Sequence, residues 1–446
     1  MNELSNQVNQ ELYVALIAID WANEEHQLCL LKRGTNKREY EVLEQKPERI
    51  QSWVLQLKER FGVGKVAIAI EQSKGPLIYA LMHYDFIDIY PINPSTLGSY
   101  RLAFRPSGAK NDIIDVNYLM DILQGHRDKL RLWKADTEQT RILDIYCRER
   151  RNCVNTRVEI CNRYKALLKE YYPQAIEMIG NDLGSQMAID FLMSWPCFQK
   201  LAKARKETLV AFYHQHGSRS ETLIQKRLTF IENTKPLTSD NAIIKTSQQI
   251  LNQELKLLKT LQQSIAFYDA EIKQCFNEHQ DAYLFKALPG AGEALAPRLL
   301  VAFGTDRARF DSALEIQAFS GIAPIVKESA TEKLKEHDTS RKTKPKGTKI
   351  TLRRRRCPKF LLQTFHEFAK CSIGQSLWAR AYYEQQRNKG QGKNAAIRSL
   401  AYKWIRIIYA CWKNKQIYDE QTYIHSLKKR SSTLVPLIDS SSRLVA

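Results

Sequence analysis

Apolar residues change their spacing several times along the chain, and each change marks a different element. "LYVALIAIDWANEEHQLCLLKRGTNKREYEVL" alternates in the β manner, breaks at Arg33 to Lys37 and alternates again, which predicts two or three strands. "KVAIAIEQSKGPLIYALMHY" reads as a strand with a near-continuous apolar body, a Gly-Pro break and then a helix. "FIDIYPINP" reads as another short buried strand. A meander followed by strands alternating with helices predicts an α/β domain with a mixed sheet up to about residue 130. From about Thr137 to Tyr172, and again from Lys200 to His279, the period turns helical. In "ILNQELKLLKTLQQSIAFYDAEIKQCF" the residues Leu251, Leu255, Leu258, Leu261, Ile265, Tyr268 and Ile272 step by three and four, the pattern of a coiled-coil seam. A helix packed on its own domain and a coil between chains both satisfy that stripe. Either way the segment is an arm separating two ends of the chain.

In the last third, "KALPGAGEALAPRLLVAFG" places Pro-Gly-x-Gly between two apolar helical patterns. This is the form of a helix-hairpin-helix, whose glycines let backbone amides approach a phosphate, and equally of a plain helix–helix turn. "KESATEKLKEHDTSRKTKPKGTKITLRRRRCPK" has no hydrophobic period and is dense in Lys and Arg, so it predicts a mobile or ligand-ordered loop. Beyond it the helical pattern returns in at least two pieces broken at "NKGQGKN", with basic residues interleaved among Trp, Tyr and Phe. Such interleaving suits phosphate contacts beside base-stacking surfaces, with Arg353, Arg354, Arg355, Arg356, Lys359, Arg380, Arg398 and Lys403 as the candidate contacts. The alternative is a basic helix pair whose aromatics are core.

The 446 residues leave room for roughly three domains. Charge sharpens the picture. Residues 283–446 carry 31 basic and 13 acidic side chains, against 37 and 35 in the rest, so the positive field belongs to the last third. A field of that sign serves a polyanion, either nucleic acid or an anionic membrane. There is no run of about 18 apolar residues, and "MNELSNQVNQ" lacks the features of a signal peptide, which predicts a cytoplasmic protein with a nucleic-acid partner and no membrane. Nine scattered cysteines without a CxxC pair argue for reduced thiols and against a zinc module.

Four acids carry the candidate chemistry. Asp20 ends the first strand, Glu71 ends "KVAIAIE", and Asp112 and Asp115 share a helix face in "AKNDIIDVNYLMDIL". Carboxylates gathered at one sheet edge resist ionisation unless cations neutralise them. Hard divalent ions do so, and two ions about 4 Å apart can clamp an in-line phosphoryl transfer. Read singly, Asp112 is an ordinary N-terminal helix acid and Asp20 a turn residue. The order of the four shifts the balance towards a metal site.

That order resembles the RNase H-like domain of Holliday-junction resolvases. The local text is similar to transposases of the insertion-sequence 110 family, the RNA-guided bridge recombinases. The likeness rests on "IAIDWANEEHQLCL", "RPSGAKNDIIDVNYL", "LPGAGEALAPRLLVAFGTDRARFDSALEIQAFSGIAPIVKESA" and "ARAYYEQQRNKGQGKNAAIRSLAYKWIRIIYACW", running from about Tyr13 to Glu420. The resemblance implies a metal-binding tetrad of Asp20, Glu71, Asp112 and Asp115, holding two Mg²⁺ with Mn²⁺ able to substitute. It implies Ser329 as a nucleophile that forms a covalent phosphoserine link to DNA, activated by a base or by the metal. It further implies donor and target double-stranded DNA, a non-coding guide RNA, and a homodimer or tetramer that completes a composite site. Two departures stand out: Ala330 replaces the usual Gly after the serine, and the following basic stretch is long, with "RRRRCPKFLLQTFHEF" in place of a glycine-containing phrase.

The expected organisation is α/β plus all-α. Residues 1–135 form an RNase H-like (RuvC-like) domain, 136–282 a helical and coiled-coil arm, 283–425 a mainly helical transposase domain, and 426–446 a tail. The rival enzyme is a RuvC-like structure-specific endonuclease that uses metal-activated water and needs no serine. A non-enzymatic nucleic-acid binder and a tyrosine recombinase using Tyr382 or Tyr383 are weaker readings, the latter because no basic and His constellation surrounds those tyrosines in the sequence.

Overall fold

The computed structural model describes residues 12–72, 74–104, 112–328 and 349–438. The chain divides into two compact units, residues 1–135 and 136–446.

In the first unit, β1 (Tyr13–Asp20), β2 (Glu25–Lys32) and β3 (Arg38–Glu44) form an antiparallel meander. It is followed by α1 (Pro47–Phe61), β4 (Lys65–Ile70), α2 (Pro76–Leu81), β5 (Ile87–Pro91), α3 (Pro94–Phe104) and α4 (Asp112–His126). The sheet order is β3-β2-β1-β4-β5, with β1 parallel to β4 and β4 parallel to β5. The mixed sheet is therefore as the pattern predicted. Strand β1 is central and covered on both faces, which is why its sequence is almost wholly apolar. One face packs Ile17, Ile19, Ile68 and Ile70 against Trp53 and Leu57 of α1 and Leu77 of α2. The other packs Ala18, Cys29, Ala67 and Ala69 against Val116, Leu119, Met120 and Leu123 of α4. The small residues on this second face give α4 room to lie on the sheet. Helix α1, absent from the elements read off the sequence, buries Ile50, Trp53, Val54 and Leu57 at helical spacing.

The second unit opens with α5 (Glu138–Tyr171), α6 (Gln174–Ile179), α7 (Gln186–Ser194), α8 (Phe198–Ala202), α9 (Lys206–Gln215), α10 (Glu221–Glu232) and α11 (Asn241–Glu278). Thr137 caps α5 by accepting from the Thr140 amide, and Asp240 caps α11 by accepting from Ala242 and Ile243. Helices α5 and α11 pack along one another. Leu251, Leu255 and Leu258 are fully buried in a core shared with α5 and the short helices α6 to α10. Ile272 and Phe276, further along α11, belong to a second core. The predicted seam is thus covered from within the chain.

That second core is built by α12 (Ala282–Lys286), α13 (Gly292–Phe303), α14 (Ala313–Phe319), α15 (Lys359–Ser372), α16 (Leu377–Asn388), α17 (Lys393–Asn414) and α18 (Glu420–Lys429). Strands β6 (Ile325–Glu328) and β7 (Lys349–Leu352) pair as an antiparallel ribbon. Helix α13 is buried from Leu295 to Phe303. Trp378, Trp404 and Trp412 are fully buried, and each indole N–H finds an acceptor: Tyr418 Oη at 2.7 Å, Ser372 Oγ at 2.8 Å and the Gly304 carbonyl at 2.7 Å. These three aromatics are core, not stacking surfaces. The Pro-Gly-x-Gly segment joins α12, only five residues long, to α13. A Cβ on Gly290, where φ is +81°, would come within 2.8 Å of the Cys371 carbonyl carbon, so this glycine serves close packing on α15. The segment expected as a tail from residue 426 begins inside α18 and places Leu427, Leu434 and Ile438 in the same core. All nine cysteines are free thiols. Among the described residues no helix is long and apolar enough to cross a membrane.

Candidate functional site

The first candidate site lies at the carboxyl edge of the first unit's sheet. Ile19 of β1 pairs with Ile70 of β4, so the next residues, Asp20 and Glu71, leave two adjacent parallel strands whose backbones lie about 4.8 Å apart across the sheet. Glu71 is the first residue beyond β4, not its last. Side chains alternate between faces, and Ala18 and Ala69 both face α4. Alternation therefore directs Asp20 and Glu71 to the α4 face as well.

The direction of α4 follows from two hydrogen bonds. The Tyr40 hydroxyl donates to Asn117 Oδ1 at 2.9 Å, and Tyr40 is level with Cys29 and hence with Ala18. One turn further along α4, Asp121 accepts from Arg38, which is level with Leu31 and hence with Leu16. Helix α4 thus runs antiparallel to β1, and its first turn, bearing Asp112 and Asp115, points back towards the Asp20 end. The topology therefore turns the strand ends that carry Asp20 and Glu71 and the first turn of α4 towards the same edge of the sheet.

Their environments differ. Asp20 and Glu71 are half-buried and Asp112 is exposed, whereas Asp115 is 1% exposed. Asp115 is held by Arg101 of α3 through a fork, Nε to Oδ1 at 2.8 Å and Nη2 to Oδ2 at 2.5 Å. Among the described residues no three His, Cys, Asp or Glu side chains form a group able to hold a metal ion. The donor set, all carboxylate oxygens, has the chemistry of a hard divalent site. One of its members, however, is already occupied by a guanidinium.

Several residues around the acids escaped the sequence reading. His26 is fully buried; the Ala22 amide donates to its Nδ1 at 3.2 Å, so its Nε2 donates to Gln45 Oε1 at 2.6 Å. These bonds pin the turn that follows Asp20. Trp21 and Gln72, the residues after Asp20 and Glu71, each bury a side-chain polar atom, Nε1 and Oε1, with no hydrogen-bond partner among the described residues. The alternation of β2 marks His26 as an inward position. Nothing in the sequence ties Arg101 to Asp115.

In the second unit Ser329 lies outside the described residues; the chain is described up to Glu328, the last residue of β6 and the partner of Lys349 in β7. Arg353, Arg355 and Arg356 follow β7 and are exposed, while Arg354 is half-buried, its Nε buried and without a partner among the described residues. Lys359 opens α15 and is exposed. Arg380 on α16 donates from Nε to the Ile373 carbonyl at 3.4 Å. Lys403 on α17 stands 4.4 Å from the Tyr382 ring centre, and its amine is held below its ordinary range by burial and by Arg406 and Lys389. Arg353 and Arg398 lie near His366 of α15, whose pKa is lowered by burial and then by these cations, Arg398 the stronger. His366 was not among the residues singled out from the sequence. Tyr382 and Tyr383 both pack against the core, which fits a packing role for each.

Residues 17–173 match the DEDD transposase family of IS110 elements. Residues 282–350 match the transposase family of IS116, IS110 and IS902. Both matched families are transposases of IS110-type insertion elements. Similar curated proteins include a mini-circle protein assigned as the transposase for IS117 in Streptomyces coelicolor, 26% identical over 80% of this chain and 83% of that protein. The 44.8 kDa protein of insertion element IS116 from Streptomyces clavuligerus is 20% identical over 79% of this chain and 83% of its own length. The 42 kDa protein of IS900 from Mycobacterium paratuberculosis is 26% identical over 53% of this chain and 55% of its own length. Both matched IS110 domains fall on the segments that carry the candidate residues: the first spans Asp20 to Asp115, and the second spans Ser329.

Proposed function

We propose that this transposase cuts and rejoins DNA through two groups of residues, the carboxylates Asp20, Glu71, Asp112 and Asp115 and the hydroxyl of Ser329. What supports the reading is the register of β1 and β4, which sets Asp20 and Glu71 on neighbouring strand ends, and the direction of α4, whose first turn bears Asp112 and Asp115, all within the DEDD segment. These acids would hold Mg²⁺, two ions with Mn²⁺ able to substitute, and a bound divalent cation there supplies charge neutralisation at a phosphate. In the proposed reaction Ser329 Oγ bonds to a DNA phosphorus while one P–O bond of the backbone breaks, leaving a phosphoserine link that a freed DNA hydroxyl later reverses. The basic residues Arg353 to Arg356, Lys359, Arg380, Arg398 and Lys403 bind phosphates of donor and target DNA and of a non-coding guide RNA, and a homodimer or tetramer is the working form.

The test uses full-length protein with Mg²⁺ and the DNA that flanks its gene, followed by mass spectrometry of the Ser329 peptide. A nucleotide adduct is expected on Ser329. Ser329→Ala should lose both adduct and strand exchange, and Asp20→Asn should lose cleavage by about 10²-fold or more while still binding DNA. Cleavage that depends on Asp20 and survives Ser329→Ala would overturn the serine step and favour hydrolysis by metal-activated water, as in a RuvC-like endonuclease.

A further inference from the structure

We propose that Arg101 is the resident counter-ion of Asp115 and sets how readily a divalent cation enters the carboxylate site; the inference rests on the metal reading given above. Asp115 is 1% exposed, and an ionised carboxylate so far from water needs a cation or several donors. Arg101 provides both. Its Nε and Nη2 take one carboxylate oxygen each, a geometry that a guanidinium fork makes and an ammonium cannot. The Asp115 carboxylate therefore has its charge matched and both oxygens engaged without metal. A divalent ion on the same carboxylate would sit within a few ångströms of the guanidinium, and two cations at that distance repel. Entry then requires Arg101 to let go. The side chain has somewhere to move, since it lies near the surface at 18% exposure, whereas that of Asp115, at 2%, is fixed in place. Arg101 is on this view a positioning residue: it holds a buried carboxylate aligned through both oxygens, and it raises the metal concentration needed to load the site.

The experiment measures Mn²⁺ alone binding to the full chain without nucleic acid, by titration calorimetry and by the Mn²⁺-induced rise in melting temperature. Arg101→Gln should bind Mn²⁺ roughly tenfold more tightly than the parent and show the larger melting shift. Arg101→Lys keeps a cation beside Asp115 but loses the fork, and should fall between the two. Because it leaves the buried charge paired, it also carries the test if the Gln variant does not fold. Unchanged or weaker Mn²⁺ binding in both variants, with binding abolished by Asp20→Asn, would overturn the role of Arg101 and leave the metal reading standing. Mn²⁺ binding undiminished in Asp20→Asn would remove the metal site itself, and this inference with it.

Discussion

Two histidines fold away as neutral rings that accept a backbone N–H. Nδ1 of His26 takes the Ala22 amide, and Nδ1 of His279 takes the Asp281 amide while its Nε2 bonds to Thr140 Oγ1 at 3.0 Å. Protonating Nδ1 would turn an acceptor into a donor facing a donor. Burial lowers the pKa of both, and of His366, where Arg398 and Arg353 push the same way. A depressed folded-state pKa means that the unfolded chain binds more protons as pH falls. The stability these rings provide is therefore full above about pH 6.5 and is lost as pH falls through the depressed values. Thermal unfolding should show a melting temperature that drops between about pH 7 and pH 5, with a shallower drop in His279→Gln; a flat profile in the parent chain would contradict the neutral-ring assignment. At this scale the sequence singles out Asp20, Glu71, Asp112 and Asp115 as candidates because their order and strand-end positions carry information. It did not disclose Arg101, fourteen positions before Asp115 in an unremarkable helical stretch, because nothing periodic links the two. The same holds for His366, whose neighbours Arg353 and Arg398 come from other elements.

Among the elements, β1 and β4 were legible because strands covered on both faces leave no polar positions to blur them. The seam of α11 was legible as a seam, but a stripe of leucines does not name its partner. The structure supplies α5 and the short helices between them. Leu255, fully buried in that core, gives a direct check. Leu255→Ala should cost about 2–5 kcal/mol and lower the melting temperature, with the mass in solution unchanged. Dissociation of an oligomer at unchanged melting temperature would instead mean that the seam faces another chain. The aromatics of α16 and α17 divide in a way the sequence could not show. Trp378, Trp404 and Trp412 close the core through indole hydrogen bonds, whereas Tyr382 carries the Lys403 amine on its ring.

Over the whole molecule, the surplus of 31 basic over 13 acidic residues in the last 164 positions makes binding to DNA a matter of counter-ions. Affinity should fall steeply with salt, and each lost phosphate contact should flatten the log–log slope by about 0.9. The double change Arg398→Ala and Lys403→Ala should flatten it by roughly 2, read from filter binding across a salt series; an unchanged slope would take both residues off the interface. Helix α11, 38 residues and about 57 Å of continuous helix, begins in one hydrophobic core and ends in the other, with α5 alongside it. The pair works as a ruler. Residues added to or removed from both arms in sevens would shift the far core by about 10 Å per step and rotate it only slightly, so the reach of the arm could be reset by insertion length alone while the facing of its surfaces is kept.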